Sequence, residues 1–335
     1  MIRAVVVYEP GGPEKLALVE RPSPAVGPGE VGIRVAYAGL NWGDIQKRQG
    51  IYPDPVAYPA IIGLEVSGVV EAVGHGVKGI APGQRVAAIT GPRMLGGYAE
   101  QCVVPAEYVM PLPDAIAFDV GAAFPATALT AWHLLTTASH VTRGTKLLVH
   151  AAGGGVGLMV VQLAAERGAV VIGTVGSSAK VDRPRELGAT HVINRQACDF
   201  VAETMRLTGG EGVDIVIDSL GAGILEHSFD CLRPFGRVIN IGEAAGEPQF
   251  NIRKKLYERS TSLAGFEFLH ARPGSEAWRI GVREIVAHVA DGRLKVPIAG
   301  VHDLSDAGTA HQRLESREVT GKLILRIGDG DRLPD

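Results

Sequence analysis

The chain has 335 residues, which is enough for two domains that each bury a hydrophobic core. Its 33 Lys and Arg nearly balance its 36 Asp and Glu, and 46% of its residues are hydrophobic, so the composition excludes a disordered chain and argues against a nucleic-acid-binding protein. No segment approaches the roughly 20 apolar residues that cross a bilayer, and three cysteines are too few for a paired disulfide framework, so we expect a cytoplasmic protein.

The first third of the sequence predicts short strands that are separated by turns rich in Gly and Pro. Residues 4–8, 31–38, 66–73 and 85–89 are rich in Val, Ile and Ala. This alternation of short apolar runs and turns is typical of a compact, partly closed antiparallel unit. An Ala- and Leu-rich stretch at 121–135 then predicts a helix.

Strands and helices alternate in the middle of the chain. Strands are predicted at 146–151, 170–175, 191–194, 213–218 and 237–241, and helices at 156–167, before 187–188, at 199–207 and at 224–232. The strands are continuously apolar, as expected when helices cover both faces of a parallel sheet. The pattern therefore predicts an α/β fold with a doubly wound parallel sheet of at least five strands.

The pattern of the last part of the sequence predicts that the chain returns to the first domain. A long amphipathic helix at 276–290 precedes two short strands, a helix at 305–314 and a final strand at 322–327. We therefore expect a discontinuous domain formed by residues 1–125 and 267–335. A nucleotide-binding domain, residues 126–266, is inserted into it.

A glycine-rich turn joins the first strand of the inserted domain to its first helix. The pattern Ala152-x-Gly154-x-x-Gly157 matches the dinucleotide-binding motif, with Ala at the first glycine position. Gly154 allows a pyrophosphate to approach the backbone, and Gly157 allows the helix to pack close to the sheet. The amino terminus of the helix presents N–H groups and a partial positive charge to phosphates. The sequence therefore predicts a dinucleotide site.

The end of the second strand indicates which dinucleotide binds. A site that prefers NAD places Asp or Glu about 20 residues after the motif, where it binds the ribose hydroxyls. Residues 174–178 contain no carboxylate but small residues, including Gly176 and Ser177, which leave room for a 2′-phosphate. Lys180 and Arg195 supply positive charge, although Lys180 has the alternative of a solvated surface lysine. We therefore expect NADPH.

Two polar side chains in the first domain are candidates for catalysis. The amide of Asn41, directly after a predicted strand, can hold a carbonyl, a ribose or a water. Tyr52, in a Gly- and Pro-rich loop, can donate a hydrogen bond and a proton. Each has the alternative of a capping or packing residue. Neither Cys-x-x-Cys nor His-Glu-x-x-His is present, so we expect no structural zinc.

Five segments spread along the sequence form a recognisable set. They are residues 39–44, Gly-Leu-Asn-Trp-Gly-Asp; 63–70, Gly-Leu-Glu-Val-Ser-Gly-Val-Val; 82–86, Pro-Gly-Gln-Arg-Val; the turn at 151–157; and 315–322. Through these segments, nearly the whole chain resembles the zinc-free medium-chain dehydrogenases/reductases, in the quinone oxidoreductase branch related to zeta-crystallin.

The resemblance implies a GroES-like, partly closed β-barrel catalytic domain, a Rossmann domain, bound NADPH and a homodimer or larger assembly. It implies that Asn41, Tyr52 and Thr127 lie near the nicotinamide. The remaining cofactor residues that it implies are Gly154, Gly155, Val156 and Gly157 at the pyrophosphate, Gly176, Ser177, Lys180 and Arg195 at the 2′-phosphate end, and Ser219, Ile241, Gly242, Phe266 and Phe268 at the strand ends.

The chain departs from the related zinc enzymes and from its closer relatives at a few positions. The zinc-dependent branch would carry Cys in place of Asn41 and His in place of Leu64, so the resemblance implies chemistry without a metal. Pro184 leads us to expect that a helix begins near Asp182 and that Lys180 lies in a loop. Arg195 stands where relatives often carry an aromatic residue or His.

The function that the sequence predicts is an NADPH-dependent reductase of a quinone or another conjugated carbonyl. Hydride transfer leaves negative charge on the acceptor oxygen, which Tyr52 or Asn41 stabilises or protonates. One alternative is an enoyl-thioester reductase, for which residues 253–255, Arg-Lys-Lys, offer a basic surface unless they form only a solvated face. Another is a crystallin-like or sensor protein that binds NADPH without catalysis.

Overall fold

The computed structural model describes residues 1–328, which form two compact units. Unit 1 contains residues 1–129 and the described residues from 272 onward, and unit 2 contains residues 130–271. The sequence placed the corresponding boundaries after residues 125 and 266. No helix of the described residues is long and apolar enough to cross a membrane.

The first part of unit 1 consists of short strands and three helices. The strands are β1 (Ile2–Val7), β2 (Leu16–Arg21), β3 (Glu30–Gly39), β4 (Ala60–Ile61), β5 (Glu65–Val73), β6 (Arg85–Ile89), β7 (Gln101–Pro105) and β8 (Val109–Pro111). The helices are α1 (Trp42–Gln49), α2 (Phe118–Gly121) and α3 (Pro125–His133), the last of which runs on into unit 2. The predicted strands are confirmed as β1, β3, β5 and β6. The helix predicted at 121–135 corresponds to α3, which begins at Pro125 and is followed by a π-helical segment, Leu134–Ala138.

Unit 2 alternates strands and helices, as predicted. Its strands are β9 (Lys146–Val149), β10 (Val170–Val175), β11 (His191–Asn194), β12 (Val213–Asp218), β13 (Leu232–Asn240) and β14 (Ser262–Gly265). Its helices are α4 (Gly155–Glu166), α5 (Asp182–Glu186), α6 (Phe200–Leu207), α7 (Ala222–Ser228) and α8 (Ile252–Glu258).

The sheet of unit 2 has the order β11-β10-β9-β12-β13-β14, and each pair of neighbours is parallel. The predicted doubly wound sheet is therefore confirmed, with six strands. The chain steps outward from β9 to β11, crosses back to β12 and continues in the opposite direction. Ligands of such sheets bind where the strand order reverses, outside the carboxyl ends of the strands. That point lies at the end of β9.

The carboxyl-terminal elements complete unit 1. They are α9 (Glu276–Ala290), β15 (Ile298–Asp303), α10 (Ala307–Glu315) and β16 (Lys322–Arg326). The expectation of two strands after α9 is wrong for the described residues, since the segment before β15 carries Pro297, which has no N–H to donate. β16 pairs antiparallel with β3 in the seven-stranded sheet, so the chain returns to the first domain, as predicted.

The long strand β3 is the centre of unit 1. It pairs with β5, β7 and β16, and its Val31, Ile33 and Val35 side chains are buried. Burying each such side chain contributes roughly 1.5–3 kcal/mol. At its end, Gly39 packs so closely on Ala122 and Glu65 that a Cβ would lie 2.6 Å from Glu65 Oε1. This close approach brings Glu65 beside the residues that follow β3.

Candidate active site

The glycine-rich turn of unit 2 joins β9 to α4. Gly154 caps the helix with extended backbone (φ −83°, ψ 173°), and Leu158 N donates to Gly154 O at 2.9 Å, which closes the first helical turn. The N–H groups of Gly155, Val156 and Gly157 have no acceptor within the helix because they belong to its first turn. This helix end therefore offers donors and a partial positive charge to an anion.

The two motif glycines have different surroundings. A Cβ on Gly157 would lie 2.8 Å from Ala152 Cα and closer still to Ala151 O, so α4 packs directly on the backbone of the turn. A Cβ on Gly154 would meet only Ala151 O, at 3.3 Å. Gly157 is buried, whereas Gly154 is half-exposed. The fold therefore requires glycine at 157, while the space at 154 is left open.

The end of β10 carries small residues and lies next to an arginine. Gly176 and Ser177 are half-buried, and a Cβ on Gly176 would lie 3.7 Å from Arg195 Nη2. Arg195 N donates to Val175 O at 3.0 Å, which holds the arginine beside the strand end. The structure therefore brings Gly176 and Arg195 together at the end of β10.

Lys180 belongs to a short 3-10 turn, Ser178–Lys180, and α5 begins at Asp182. This start of the helix matches the one expected from Pro184, which lies in the first turn of α5, where a missing N–H costs no helical hydrogen bond.

The charge of Arg195 lowers the pKa values of two buried groups at neighbouring strand ends. Burial raises the pKa of Asp218, and the hydrogen bonds that its carboxylate accepts, followed by the charge of Arg195, oppose this shift. Burial and then Arg195 lower the pKa of His150 to about 3, so this imidazole is neutral. His150 contacts Thr174 Oγ1 at 2.8 Å and Ser228 Oγ at 3.0 Å. Both ring nitrogens of this buried histidine therefore have protein partners, one on β10 and one on α7.

The loops after β12 and β13 are fixed by one carboxylate and one amide. Asp218 accepts from Leu220 N at 3.0 Å, and Asn240 Nδ2 donates to Asp218 Oδ2 at 3.1 Å and to Gly242 O at 3.0 Å. Sequence reasoning missed both residues, although each is a polar residue at the end of an apolar strand. Backbone hydrogen bonds join Ile241 to Asp218, Ala244 to Ser219 and Phe266 to Asn240. These bonds bring most of the residues predicted at the strand ends close to one another.

Phe268 lies farther along the chain from these strand ends. It begins a short 3-10 turn, Phe268–Ala271, and is half-buried.

The side chain of Asn41 in unit 1 belongs to a buried ionic cluster. Lys322 Nζ lies 2.7 Å from both Glu65 Oε1 and Asn41 Oδ1, and it also donates to Leu40 O. Asn41 Nδ2 donates to Glu65 Oε1 at 2.8 Å. The sequence patterns did not identify Glu65 or Lys322 as site residues. A glutamate inside the apolar run of β5 is a signal that could have identified Glu65.

Thr127 lies in α3, one residue after Ala126, whose N–H donates to Glu65 Oε2 at 2.9 Å. The structure thus places Thr127 next to this cluster, but its hydroxyl donates to the carbonyls of Ala123 and Phe124, both at 3.3 Å. The side chain is 3% exposed.

The ring of Tyr52 packs on the first turn of α1. A Cβ on Gly43 would lie 3.4 Å from both Tyr52 Cε2 and Leu64 Cδ2, and Lys47 Nζ lies 4.5 Å from the centre of the Tyr52 ring. The buried Lys47 ammonium is itself held by the carbonyls of Arg93 and Met94, at 2.7 and 2.9 Å. Tyr52 therefore sits over a fixed positive charge.

A chain of buried polar groups lies behind Asn41. Asn41 N donates to Asp44 Oδ2 at 2.9 Å, Tyr98 Oη lies 3.4 Å from the same oxygen, and His311 Nε2 lies 3.1 Å from Tyr98 Oη. Arg48 contacts His311 Nδ1 at 3.3 Å. Since arginine only donates, His311 carries its proton on Nε2. Burial raises the pKa of Asp44 to about 6 and lowers that of His311 to about 3.

No group of three or more His, Cys, Asp and Glu within residues 1–328 is arranged to hold a metal ion. Position 64 carries a buried leucine, and the Asn41 amide is bonded to Lys322 and Glu65.

Comparison with known proteins matches both units. Residues 27–114 match the alcohol dehydrogenase GroES-like domain, and residues 155–286 match the zinc-binding dehydrogenase family. The chain is 36% identical to a quinone oxidoreductase of Salmonella typhimurium over 97% of its own length and 99% of the relative's. A crystal structure of Escherichia coli quinone oxidoreductase complexed with NADPH superposes with a TM-score of 0.92 at 33% identity, covering 97% of this chain and 99% of that one.

The chain is also similar to part of a much longer protein. It is 34% identical to a phenolphthiocerol/phthiocerol polyketide synthase of Mycobacterium tuberculosis over 89% of its own length. It spans only 14% of that relative.

Proposed function

This chain belongs to the quinone oxidoreductase family of medium-chain dehydrogenases/reductases, and we propose that it is an NADPH-dependent oxidoreductase that reduces a quinone or a related conjugated carbonyl. The observation that carries this proposal is the turn between β9 and α4, which lies where the strand order reverses and leaves open space beside Gly154. The resemblance to an oxidoreductase structure that holds NADPH supports it.

The residues of unit 2 fit such a cofactor. The first N–H groups of α4 suit a diphosphate, and the closely packed Gly157 holds them in place. Gly176, Ser177 and Arg195 suit the 2′-phosphate, since no carboxylate lies between Thr174 and Val181 and a guanidinium lies against Gly176. Lys180 is assigned to the same end. Ser219, Ile241, Gly242, Phe266 and Phe268 are assigned to the rest of the cofactor.

The chemistry divides between cofactor and protein. NADPH, when bound, supplies the hydride. The acceptor oxygen then gains negative charge, and we assign its protonation to the Tyr52 phenol, whose ring faces the Lys47 ammonium. The Lys47 ammonium, 4.5 Å from the ring centre, would lie near the negative charge that the phenol carries after giving up its proton. Thr127 and Asn41 are assigned to the nicotinamide end.

We assign no metal to this reaction. The support comes from what occupies the two positions at which the zinc-dependent branch carries ligands. Leu64 has no donor atom, and the Asn41 amide is bonded to the Lys322 ammonium. The Asn41 oxygen already accepts from Lys322 and its nitrogen donates to Glu65, so neither position offers a free metal ligand.

An enoyl-thioester reductase is the second candidate, because the chain is also similar to part of a polyketide synthase. The basic residues considered for a thioester partner are partly engaged: Lys255 lies 2.8 Å from Asp230, and Arg253 stacks over Tyr257. This pairing weighs against a dedicated basic surface.

The decisive assay measures NADPH oxidation with a naphthoquinone, an enal and a crotonyl thioester as acceptors. The main proposal expects the highest kcat/KM with the quinone or the enal. A preference for the thioester would favour the second candidate. NADPH binding without oxidation by any acceptor would favour the non-catalytic alternative.

We also propose a homodimer that forms through β14. This strand lies at the end of the six-stranded sheet, and within the described residues only β13 pairs with it. Leu263 on β14 and nearby Phe235 and Tyr257 are exposed. Light scattering on the purified protein tests this assignment. Phe266 N bonds to Asn240 O on β13, so alternation along the strand turns the N–H of Leu263 toward the free edge, and Leu263→Pro should shift a dimer toward monomer.

We place the protein in the cytoplasm. The proposed cofactor and the three cysteines, all free thiols, fit a reducing compartment. Fractionation of the source cells tests this placement.

A further inference from the structure

A buried ion pair holds the side-chain amide of Asn41. Lys322 is 3% exposed and Glu65 is fully buried, with 2.7 Å between Nζ and Oε1. The ammonium has three N–H groups, and they point to Glu65, Asn41 Oδ1 and Leu40 O. The cluster therefore uses every donor of the lysine.

That ammonium determines which way the amide faces. An ammonium only donates, so the Asn41 atom that faces it at 2.7 Å must be the oxygen. The nitrogen then faces Glu65 Oε1 at 2.8 Å and Gly39 O at 3.4 Å. The reverse orientation would place the amide N–H groups against an ammonium and the amide oxygen against a carboxylate, which is strongly unfavourable in a buried site.

We propose that Lys322 and Glu65 are positioning residues that fix Asn41 as a hydrogen-bond acceptor toward the bound ligand. Both amide hydrogens are committed to the protein, so the ligand group that faces Asn41 is itself a donor, such as a ribose hydroxyl or the nicotinamide carboxamide N–H. The oxygen that gains negative charge takes its hydrogen bond and proton from Tyr52 instead. The identity of the ligand rests on the proposed function, whereas the amide orientation belongs to the chain alone.

Nuclear magnetic resonance of the asparagine side chains tests this orientation directly. The sequence has four asparagines, at positions 41, 194, 240 and 251, so a protein labelled with 15N-asparagine gives four NH₂ groups, and Asn41→Ala identifies one of them. We expect an Asn41 proton at low field with slow exchange, as for a hydrogen bond to a carboxylate. This proton should keep its position when NADPH saturates the protein. Its loss on addition of NADPH would mean that the amide turns to donate, and would overturn the proposal.

A paired substitution tests the role of the ion pair. Lys322→Met with Glu65→Gln removes both charges, so neither is left buried alone. We expect the Asn41 signal to move to an ordinary position and NADPH binding to weaken as much as in Asn41→Ala, about 2- to 10-fold for one hydrogen bond. Adding Asn41→Ala to the paired variant should cause no further loss. A full further loss would show that the pair acts independently of Asn41.

A matched control removes another ion pair of unit 1. Arg48, fully buried, lies 2.7 Å from Glu315, and neither side chain contacts the Asn41 amide. Arg48→Met with Glu315→Gln should lower stability without moving the Asn41 signal, and an equal movement would contradict the inference.

If either paired variant fails to fold, the wild-type spectra still decide. If calorimetry detects no NADPH binding, the proposed function fails while the unliganded spectrum still reports the orientation.

Discussion

The two motif glycines should respond differently to replacement by alanine: one substitution should weaken NADPH binding, and the other should lower the stability of the fold. Gly154→Ala adds a methyl group whose only neighbour within 4 Å is Ala151 O, at 3.3 Å, and the backbone at Gly154 (φ −83°, ψ 173°) suits alanine. We therefore expect the free energy of unfolding to change by less than about 1 kcal/mol. The same methyl group lies where the diphosphate must approach. Losing one charge-assisted hydrogen bond costs about 1.5–3 kcal/mol, which weakens NADPH binding roughly 10- to 100-fold.

Gly157→Ala should damage the fold itself. Its Cβ would lie 2.8 Å from Ala152 Cα, whereas two carbon atoms require about 3.5–4 Å, so α4 must shift by roughly 1 Å. Because the neighbouring atoms are backbone, no side chain can move aside. We expect a loss of about 1–3 kcal/mol or more in the free energy of unfolding.

Calorimetric titration with NADPH and urea unfolding separate the two effects in the same set of proteins. Wild type is the reference for both measurements. Gly154→Ala with unchanged NADPH affinity would refute the assignment of the open space to the diphosphate. Gly157→Ala with unchanged stability would refute the packing argument.

Three further predictions follow from individual side chains. Tyr52→Phe should lower kcat by about 10²-fold or more while the Kd for NADPH stays within about twofold, and an unchanged kcat would remove Tyr52 from catalysis. Arg195→Ala should weaken NADPH binding about 10- to 100-fold and leave NADH binding unchanged, which titration with both cofactors checks; an equal loss for both would contradict a phosphate contact. His150 and His311 have pKa values lowered to about 3, so they stay neutral in the folded protein and take up protons only on unfolding below pH 6.5. Their stabilising contribution is present above pH 6.5 and is lost as the pH falls, by about 2 kcal/mol for each between pH 7 and pH 5. Asp44, with its raised pKa, offsets about 1 kcal/mol of this loss. Urea unfolding across this range should show the net decrease, and constant stability would contradict it.

The sequence predicted unit 2 well because its signals are local. Long apolar runs form the strands β9, β10 and β12, and the turn at Gly154 lies between a strand and a helix as the motif requires. β14 was missed because its four residues include Ser262 and Gly265 and are partly exposed, so they form no apolar run.

The polar cluster of unit 1 was not predictable from local patterns. Glu65 and Lys322 are 257 residues apart in the chain and meet only because β16 returns to β3 next to β5. The sequence showed only that Asn41 is a polar residue after a strand, so it did not determine which group the amide binds. Its orientation depends on these two distant charges, and no spacing rule connects them.

Tyr52 was found from its loop, but the charge beneath its ring was not. Lys47 lies on the neighbouring helix α1 and is 1% exposed, whereas a lysine in a short polar helix is ordinarily expected in solvent. The carbonyls of Arg93 and Met94 that hold it come from a distant loop.

Calorimetric titration of the wild-type protein with NADPH and with NADH is the most direct test of the account. We predict saturable heat with one NADPH per chain and a Kd for NADH at least about tenfold higher, since the 2′-phosphate adds a charge-assisted contact. The absence of heat with both cofactors would contradict the central claim that the turn before α4 binds a dinucleotide.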